Sequence, residues 1–155
     1  MTSVLRDELR QRKPFDSLEQ EAFLSLGRTE AVLEEAIERV LKPHAISITQ
    51  YNVLRILRGA GADGLCRNEI RDRLVSRMPD VTRLLDRMEE AGLVSRIRDA
   101  EDRRMVNTCL TDRGRRLVDK LDAPVTEEHK RRLGHLTRQQ LRTLIDLLAL
   151  VRREG

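Results

Sequence analysis

Met78-Pro-Asp-Val-Thr-Arg-Leu-Leu-Asp-Arg-Met-Glu-Glu-Ala-Gly-Leu-Val94 contains a change of hydrophobic period that sets the architecture of the chain. Val81, Leu84, Leu85 and Met88 fall at i, i+3, i+4 and i+7, a single apolar stripe of an α-helix. Proline is tolerated in a first helical turn, where its missing N–H costs nothing. The helix is therefore placed from Pro79 to Ala91, with Gly92 as its stop. From Leu93 to Leu110 the period becomes two. Val94, and the alternating Val106, Thr108 and Leu110, predict two strands joined through the polar segment Arg98–Arg103.

Upstream of this helix and hairpin, Ser17 with Gln20 and Ser47 with Gln50 are capping-box patterns that open helices. The first helix runs through Leu18, Ala22, Leu26, Leu33, Ile37 and Val40 to Leu41, where Pro43 ends it. The second is short and carries Tyr51, Leu54 and Leu57. Gly59, Gly61, Asp63 and Gly64 form a loop, and a further short helix holding Ile70 and Leu74 begins near Cys66. Downstream, Thr111 caps a helix with Leu117, Val118 and Leu121, which Pro124 is expected to break or kink. Thr137 with Gln140 opens the last helix, with Leu141, Leu144, Ile145, Leu148 and Val151 on one face. Three short helices followed by a hairpin is the plan of a winged helix-turn-helix. The fold class is mainly α (α+β), in one domain over residues 1–155. The winged unit spans residues 47–111. The helices of residues 14–43 and 112–155 carry apolar faces that a dimer would bury.

Composition narrows the function. The 155 residues contain 36% charged and 39% hydrophobic residues, enough for one core and a well-solvated surface, with a formal charge of +4. Phe15, Phe23 and Tyr51 are the whole aromatic set, too few for a row of platforms that stack single-stranded bases. No run of about 18 apolar residues exists to span a membrane, and the N-terminus lacks an apolar signal region. A cytoplasmic protein without a membrane partner is expected. No zinc-ligand spacing, nucleophile elbow or phosphate-binding glycine loop occurs, so no enzyme activity, cofactor or metal is expected.

The outward face of the 79–91 helix carries Asp80, Thr82, Arg83, Asp86 and Arg87. Arginine offers two donors to guanine O6 and N7 in a major groove. Asp80 can accept from cytosine N4, Thr82 can hold a phosphate, and Arg77 and Pro79 lie at the leading end. The alternative for this face is solvated ion pairing. The hairpin adds Arg96, Arg98, Arg103 and Arg104, and an arginine-bearing β-ribbon can enter a narrow minor groove. Asp102 is placed to hold an arginine's fork.

Arg83-Leu-Leu-Asp-Arg-Met-Glu-Glu-Ala-Gly-Leu-Val94, Asp99-x-x-Asp-Arg-Arg104 and Leu110-Thr-x-x-Gly114 resemble the MarR (multiple antibiotic resistance regulator) family, over about Pro14 to Val151. The resemblance implies an obligate homodimer on a pseudo-palindromic double-stranded operator. Such proteins are usually repressors, released by a small phenolic or lipophilic effector or by thiol oxidation. It also implies that Arg83 and its neighbours read bases while Asp102 and Arg104 make the wing contact. Two departures stand out: Cys66 replaces a capping Ser or Thr, and Arg77-Met-Pro-Asp80 replaces small hydroxyl residues. Cys66, beside Arg67 at a helix start, is a redox candidate, whereas Cys109 reads as a small buried hydrophobe. An effector is expected between the winged unit and the dimer helices, with Phe23, Leu26, His44 and Tyr51 as wall residues. The competing functions are a non-sequence-specific architectural DNA binder and a protein-interaction module that leaves the wing idle.

Overall fold

The structure is a computed structural model that describes residues 3–153. A short helix α1 (Val4–Glu8) precedes the long helix α2 (Leu18–Leu41), and a 3-10 turn over Lys42–His44 leads to α3 (Ile48–Ala60). Strand β1 (Leu65–Cys66) and helices α4 (Arg67–Arg73) and α5 (Val81–Glu90) follow, then β2 (Val94–Arg98) and β3 (Val106–Leu110). Two helices close the chain, α6 (Asp112–Leu133) and α7 (Arg138–Arg153). The expected helix-turn-helix and wing are present, and α1 is an element the sequence analysis did not assign.

Local hydrogen bonding sets most helix starts. At Ser47 the capping box is complete: its Oγ accepts from the Gln50 N–H at 3.1 Å, and Gln50 Oε1 accepts from the Ser47 N–H at 2.9 Å. Thr137 and Gln140 repeat it at 3.2 and 2.8 Å. At Ser17 only half of the box forms, because the Gln20 amide oxygen reaches one residue further back, to the Asp16 N–H at 2.7 Å.

The helix placed from Pro79 begins two residues later. Asp80 is its cap, and its carboxylate accepts the Arg83 N–H at 3.0 Å. An acid that satisfies an orphan N–H starts a helix more strongly than a proline that merely tolerates its first turn, and Pro79 pushes Met78 away from helical geometry. The stop at Gly92 is as expected. With φ at +73°, Gly92 donates its N–H to the Glu89 carbonyl at 2.9 Å, and Leu93 donates to Met88 at 3.0 Å. This pair of reversed bonds ends a helix in a left-handed residue.

The sheet has three antiparallel strands in the order β1-β3-β2, not the two of the expected hairpin. Val94 faces Leu110 and Arg98 faces Val106, while Leu65 faces Thr108 on the other edge. A two-residue strand is too short to show a period, so β1 left no pattern in the sequence. Its presence makes β3 central and spoils the simple alternation. Thr108 and Cys109 are both buried, and Val106 is exposed.

Pro124 does not break α6, which runs through it. Leu121 and Val125 flank the proline and are buried, packed with α2 and α3. That burial outweighs one lost backbone hydrogen bond. The core gathers Leu41, Val53, Leu54, Leu57, Ile70, Leu85, Met88, Val94, Val118 and Leu121 from both the winged unit and α6. The sequence Leu110-Thr-x-x-Gly114 joins them. Thr111 Oγ1 donates to the Gly92 carbonyl at 2.7 Å and accepts the Gly114 N–H at 3.0 Å. Gly114 lies so close to the Leu93 carbonyl that a Cβ there would stand 2.1 Å from its oxygen.

Candidate nucleic-acid interface

Helix α5 buries Val81, Leu84, Leu85 and Met88 and leaves Thr82, Arg83, Asp86 and Arg87 exposed. Burial of one stripe fixes the rotation of the helix, so its polar stripe faces outward from the core. The two acids on that stripe are occupied within the protein. Asp80 caps the helix and also lies 3.8 Å from the Arg83 guanidinium. Asp86 pairs with Arg96 of β2 and so ties the wing to the helix. The Asp80 expected to accept from cytosine is thus the residue that caps the helix. Arg83 points from an exposed position, and Arg77 and Arg87 are exposed and, among the described residues, in no ion pair.

The wing is shaped by carboxylates that accept backbone N–H groups. Asp99 Oδ1 accepts from the N–H of Asp102 at 3.0 Å and of Glu101 at 2.9 Å, and its other oxygen accepts from the Asn107 amide at 3.1 Å. These bonds, the two backbone ones first, hold the Asp99 carboxyl below its ordinary pKa. Asp102 accepts the backbone N–H of Arg104 at 3.0 Å. It does not hold an arginine fork, as the sequence suggested, since among the described residues it makes no ion pair. Its part is to shape the turn from which Arg104 projects. Arg98 spends one donor on the Arg103 carbonyl at 3.2 Å, closing the hairpin. Arg96 thus ties the wing to α5 and Arg98 ties the hairpin across, while Arg98, Arg103 and Arg104 are all exposed.

A cleft of about 440 Å³ joins the two halves, lined among others by Cys66, Arg67, Thr82, Arg96 and Arg104. Helix α5 and the wing therefore share one basic surface. Cys66, half-buried, lines this cleft as the cap residue of α4, and the Glu69 carboxylate accepts its N–H at 2.9 Å. Cys109 is buried against the Ala62 carbonyl, and burial raises its thiol pKa.

The four residues expected to wall an effector pocket do not come together. Phe23 and Leu26 stand exposed on α2, with Phe23 77% accessible. Tyr51 is buried in the core, where its hydroxyl donates to Asp122 at 3.1 Å. Burial first, and that carboxylate second, raise its pKa. Arg58 donates to the same Asp122 and lowers its pKa. His44 lines a cleft of about 420 Å³ between the 3-10 turn, the C-terminal end of α5 and α6. All four were expected to wall a cleft between the winged unit and the dimer helices, but α2 turns Phe23 and Leu26 to the outside of this protomer.

Comparison with known proteins follows the same surface. The model of the MarR family matches residues 46–106, from just before α3 to the first residue of β3. A MarR transcription factor from Planctomyces limnophilus is 44% identical, over 88% of this chain and 99% of its own, with a TM-score of 0.67. The chain belongs to the MarR family. Two further proteins are similar to it. CouR from Rhodococcus jostii RHA1, solved bound to p-coumaroyl-CoA, is 26% identical, over 91% of this chain and 98% of its own, with a TM-score of 0.75. The HTH-type transcriptional regulator PecS from Dickeya dadantii is 32% identical over 106 residues, or 68% of this chain. The chain spans 61% of the length of PecS. Among the described residues of this MarR-family chain, no helix is long and apolar enough to cross a membrane.

Three residues of the MarR surface went unassigned in the sequence. Arg67 was seen only as a neighbour of Cys66, and its contact with Thr82 joins residues 15 apart. Asp99 was quoted in a motif without a role. Asn107, which also donates to the Asp63 carbonyl at 3.2 Å, gave no local signal.

Proposed function

We propose that the chain is a sequence-specific, double-stranded-DNA-binding repressor. It acts in the cytoplasm as a homodimer on a pseudo-palindromic operator, which a small-molecule effector makes it release. The observation that carries this reading is the cleft where helix and wing meet: Thr82 of α5 lines it together with Arg67, Arg96 and Arg104, and Arg83 and Arg87 are exposed on the same face of α5 as Thr82. A helix with Arg83 near its leading end suits the major groove, and a ribbon tip with Arg103 and Arg104 suits the adjacent minor groove.

Dimerisation is supported by apolar side chains that a single protomer leaves uncovered. Leu18 and Phe23 of α2, and Leu144, Ile145, Leu147, Leu150 and Val151 of α7, are exposed, and α7 buries no side chain fully. Faces of this kind match the split core of obligate dimers. The cleft beside His44 supports the effector. Its Ile46, Leu93 and Leu117 are apolar, and Arg113, Arg116 and Lys120 line it as well. A phenolic or lipophilic molecule with an anionic group matches that lining, and CouR offers a precedent in p-coumaroyl-CoA.

The test is footprinting on the DNA flanking the chain's own coding region, followed by competition binding with the protected duplex and a scrambled one. Two half-sites about one helical turn apart are expected, with a large preference for the protected sequence. Equal affinity for both duplexes would replace this reading with the architectural one. Failure to bind either at physiological salt would leave a protein-interaction module.

A further inference from the structure

We propose that Arg67 and Thr82 together form a seat for one backbone phosphate of the DNA, joining α4 to α5 at the floor of the wing cleft. The proposal rests on the DNA-binding reading above and adds a phosphate contact that sequence analysis did not assign to Arg67.

Arg67 is the first residue of α4 and is exposed. Its guanidinium donates to Thr82 Oγ1 at 3.1 Å. A hydroxyl oxygen that accepts from a guanidinium still has its own proton to donate. Among the described residues, the Thr82 hydroxyl donates to no acceptor, and Arg67 makes no ion pair. The polar groups around this pair carry donors, beside the apolar Leu85, Met105 and Val106. Asn68 and Arg104 line the same cleft, no carboxylate lines it, and a third arginine of the lining, Arg96, is already paired with Asp86. Several N–H and O–H groups converging without an acidic partner match the oxygens of a phosphodiester.

Geometry separates this role from base reading. Base contacts come from side chains that leave the leading end of the helix freely. Arg67 belongs to α4 and not to the leading end of α5, and one of its N–H donors is spent on Thr82 Oγ1, so its remaining donors lie beside the threonine hydroxyl. Phosphate contacts position a protein without carrying sequence information. The pair also links α4 to α5 at the surface, so a phosphate bound there would be held by both helices at once.

The experiment measures affinity across a salt series for wild type, Arg67→Ala, Arg67→Lys and Thr82→Val. The probes are the duplex recovered by footprinting and a scrambled duplex of equal length, with circular dichroism to check folding. Arg67→Ala should lower affinity for both duplexes by the same factor, tens-fold near ~0.1 M salt for a dimer that loses two contacts. Its salt slope should become shallower by about 0.9 per phosphate, roughly two units in all. Arg67→Lys should keep the slope and lose affinity, because the charge stays and the threonine contact goes. Thr82→Val should lower affinity for both duplexes, and adding it to Arg67→Ala should cost little more. If Arg67→Ala does not fold, the lysine and valine variants decide. An unchanged slope in Arg67→Ala, a relaxed preference at one base position, or wild-type affinity in Thr82→Val would each overturn the seat. A wild type that binds both duplexes equally would overturn sequence specificity alone, and the slope on the scrambled duplex would still test the seat.

Discussion

Replacing Gly114 by alanine should destabilise the protein, although alanine is the better helix former. Gly114 sits in the first turn of α6, and a Cβ there would stand 2.1 Å from the Leu93 carbonyl oxygen and 2.9 Å from Leu110 Cδ2. Ordinary contact starts near 3.4 Å, so the Leu93 backbone would have to retreat by about 1 Å. That carbonyl accepts the Thr111 N–H at 3.2 Å, and weakening the bond costs about 1 kcal/mol. Crowding a packed site adds about 1–3 kcal/mol, while the gain in helix propensity returns about 1 kcal/mol. The net loss is about 1–3 kcal/mol, which for a chain of this size lowers the melting temperature by roughly 5 °C. The internal control is Gly59→Ala. Gly59 is exposed within α3, and a Cβ there meets nothing within 4 Å. The same change should stabilise there, by about 0.5–1 kcal/mol. Urea and thermal unfolding, followed by circular dichroism at one fixed protein concentration, measure both. Wild-type stability or better in Gly114→Ala would refute the account of the Leu-Thr-x-x-Gly motif as a close-approach anchor.

Arg83→Ala should weaken operator binding by about 1–3 kcal/mol and relax preference at one position in each half-site, read by competition with base-substituted duplexes. Arg104→Ala should make the salt slope shallower by about one to two units. Asp102→Ala should weaken binding although it removes a negative charge, because the Arg104 N–H loses its acceptor; tighter binding would remove that role. Tyr51→Phe should cost about 1–2 kcal/mol in unfolding experiments, because Asp122 loses a donor. Asp122 has a lower pKa folded than unfolded, chiefly through the Arg58 hydrogen bonds, so its contribution is complete above the unfolded carboxyl value near 4. As pH falls below that value the unfolded chain takes up the proton first and stability drops. Asp122→Asn should flatten this acid limb of the stability curve.

Sedimentation should give a species of about 36 kDa, twice the 17.9 kDa of one chain, at micromolar concentration. A folded monomer would leave the exposed faces of α2 and α7 without their proposed cover.

What the sequence determined by itself was local. Ser47 with Gln50, Thr137 with Gln140 and Gly92 mark helix ends through hydrogen bonds that span three to five residues. The stripe Val81, Leu84, Leu85 and Met88 determined which face of α5 is buried, and hence that Thr82, Arg83 and Arg87 point outward. These signals survive folding because both partners lie within one or two turns of chain. Tertiary structure decided what depends on distant partners. It paired β1 with β3 across 43 residues at Leu65 and Thr108, and its packing carried α6 through Pro124. It brought Tyr51 and Arg58 onto Asp122, 71 and 64 residues away, and so placed Tyr51, expected in an effector wall, in the core. It also gave Asp86 to Arg96 and Arg67 to Thr82. No periodicity encodes such contacts, because each is selected by the burial of apolar faces elsewhere in the chain.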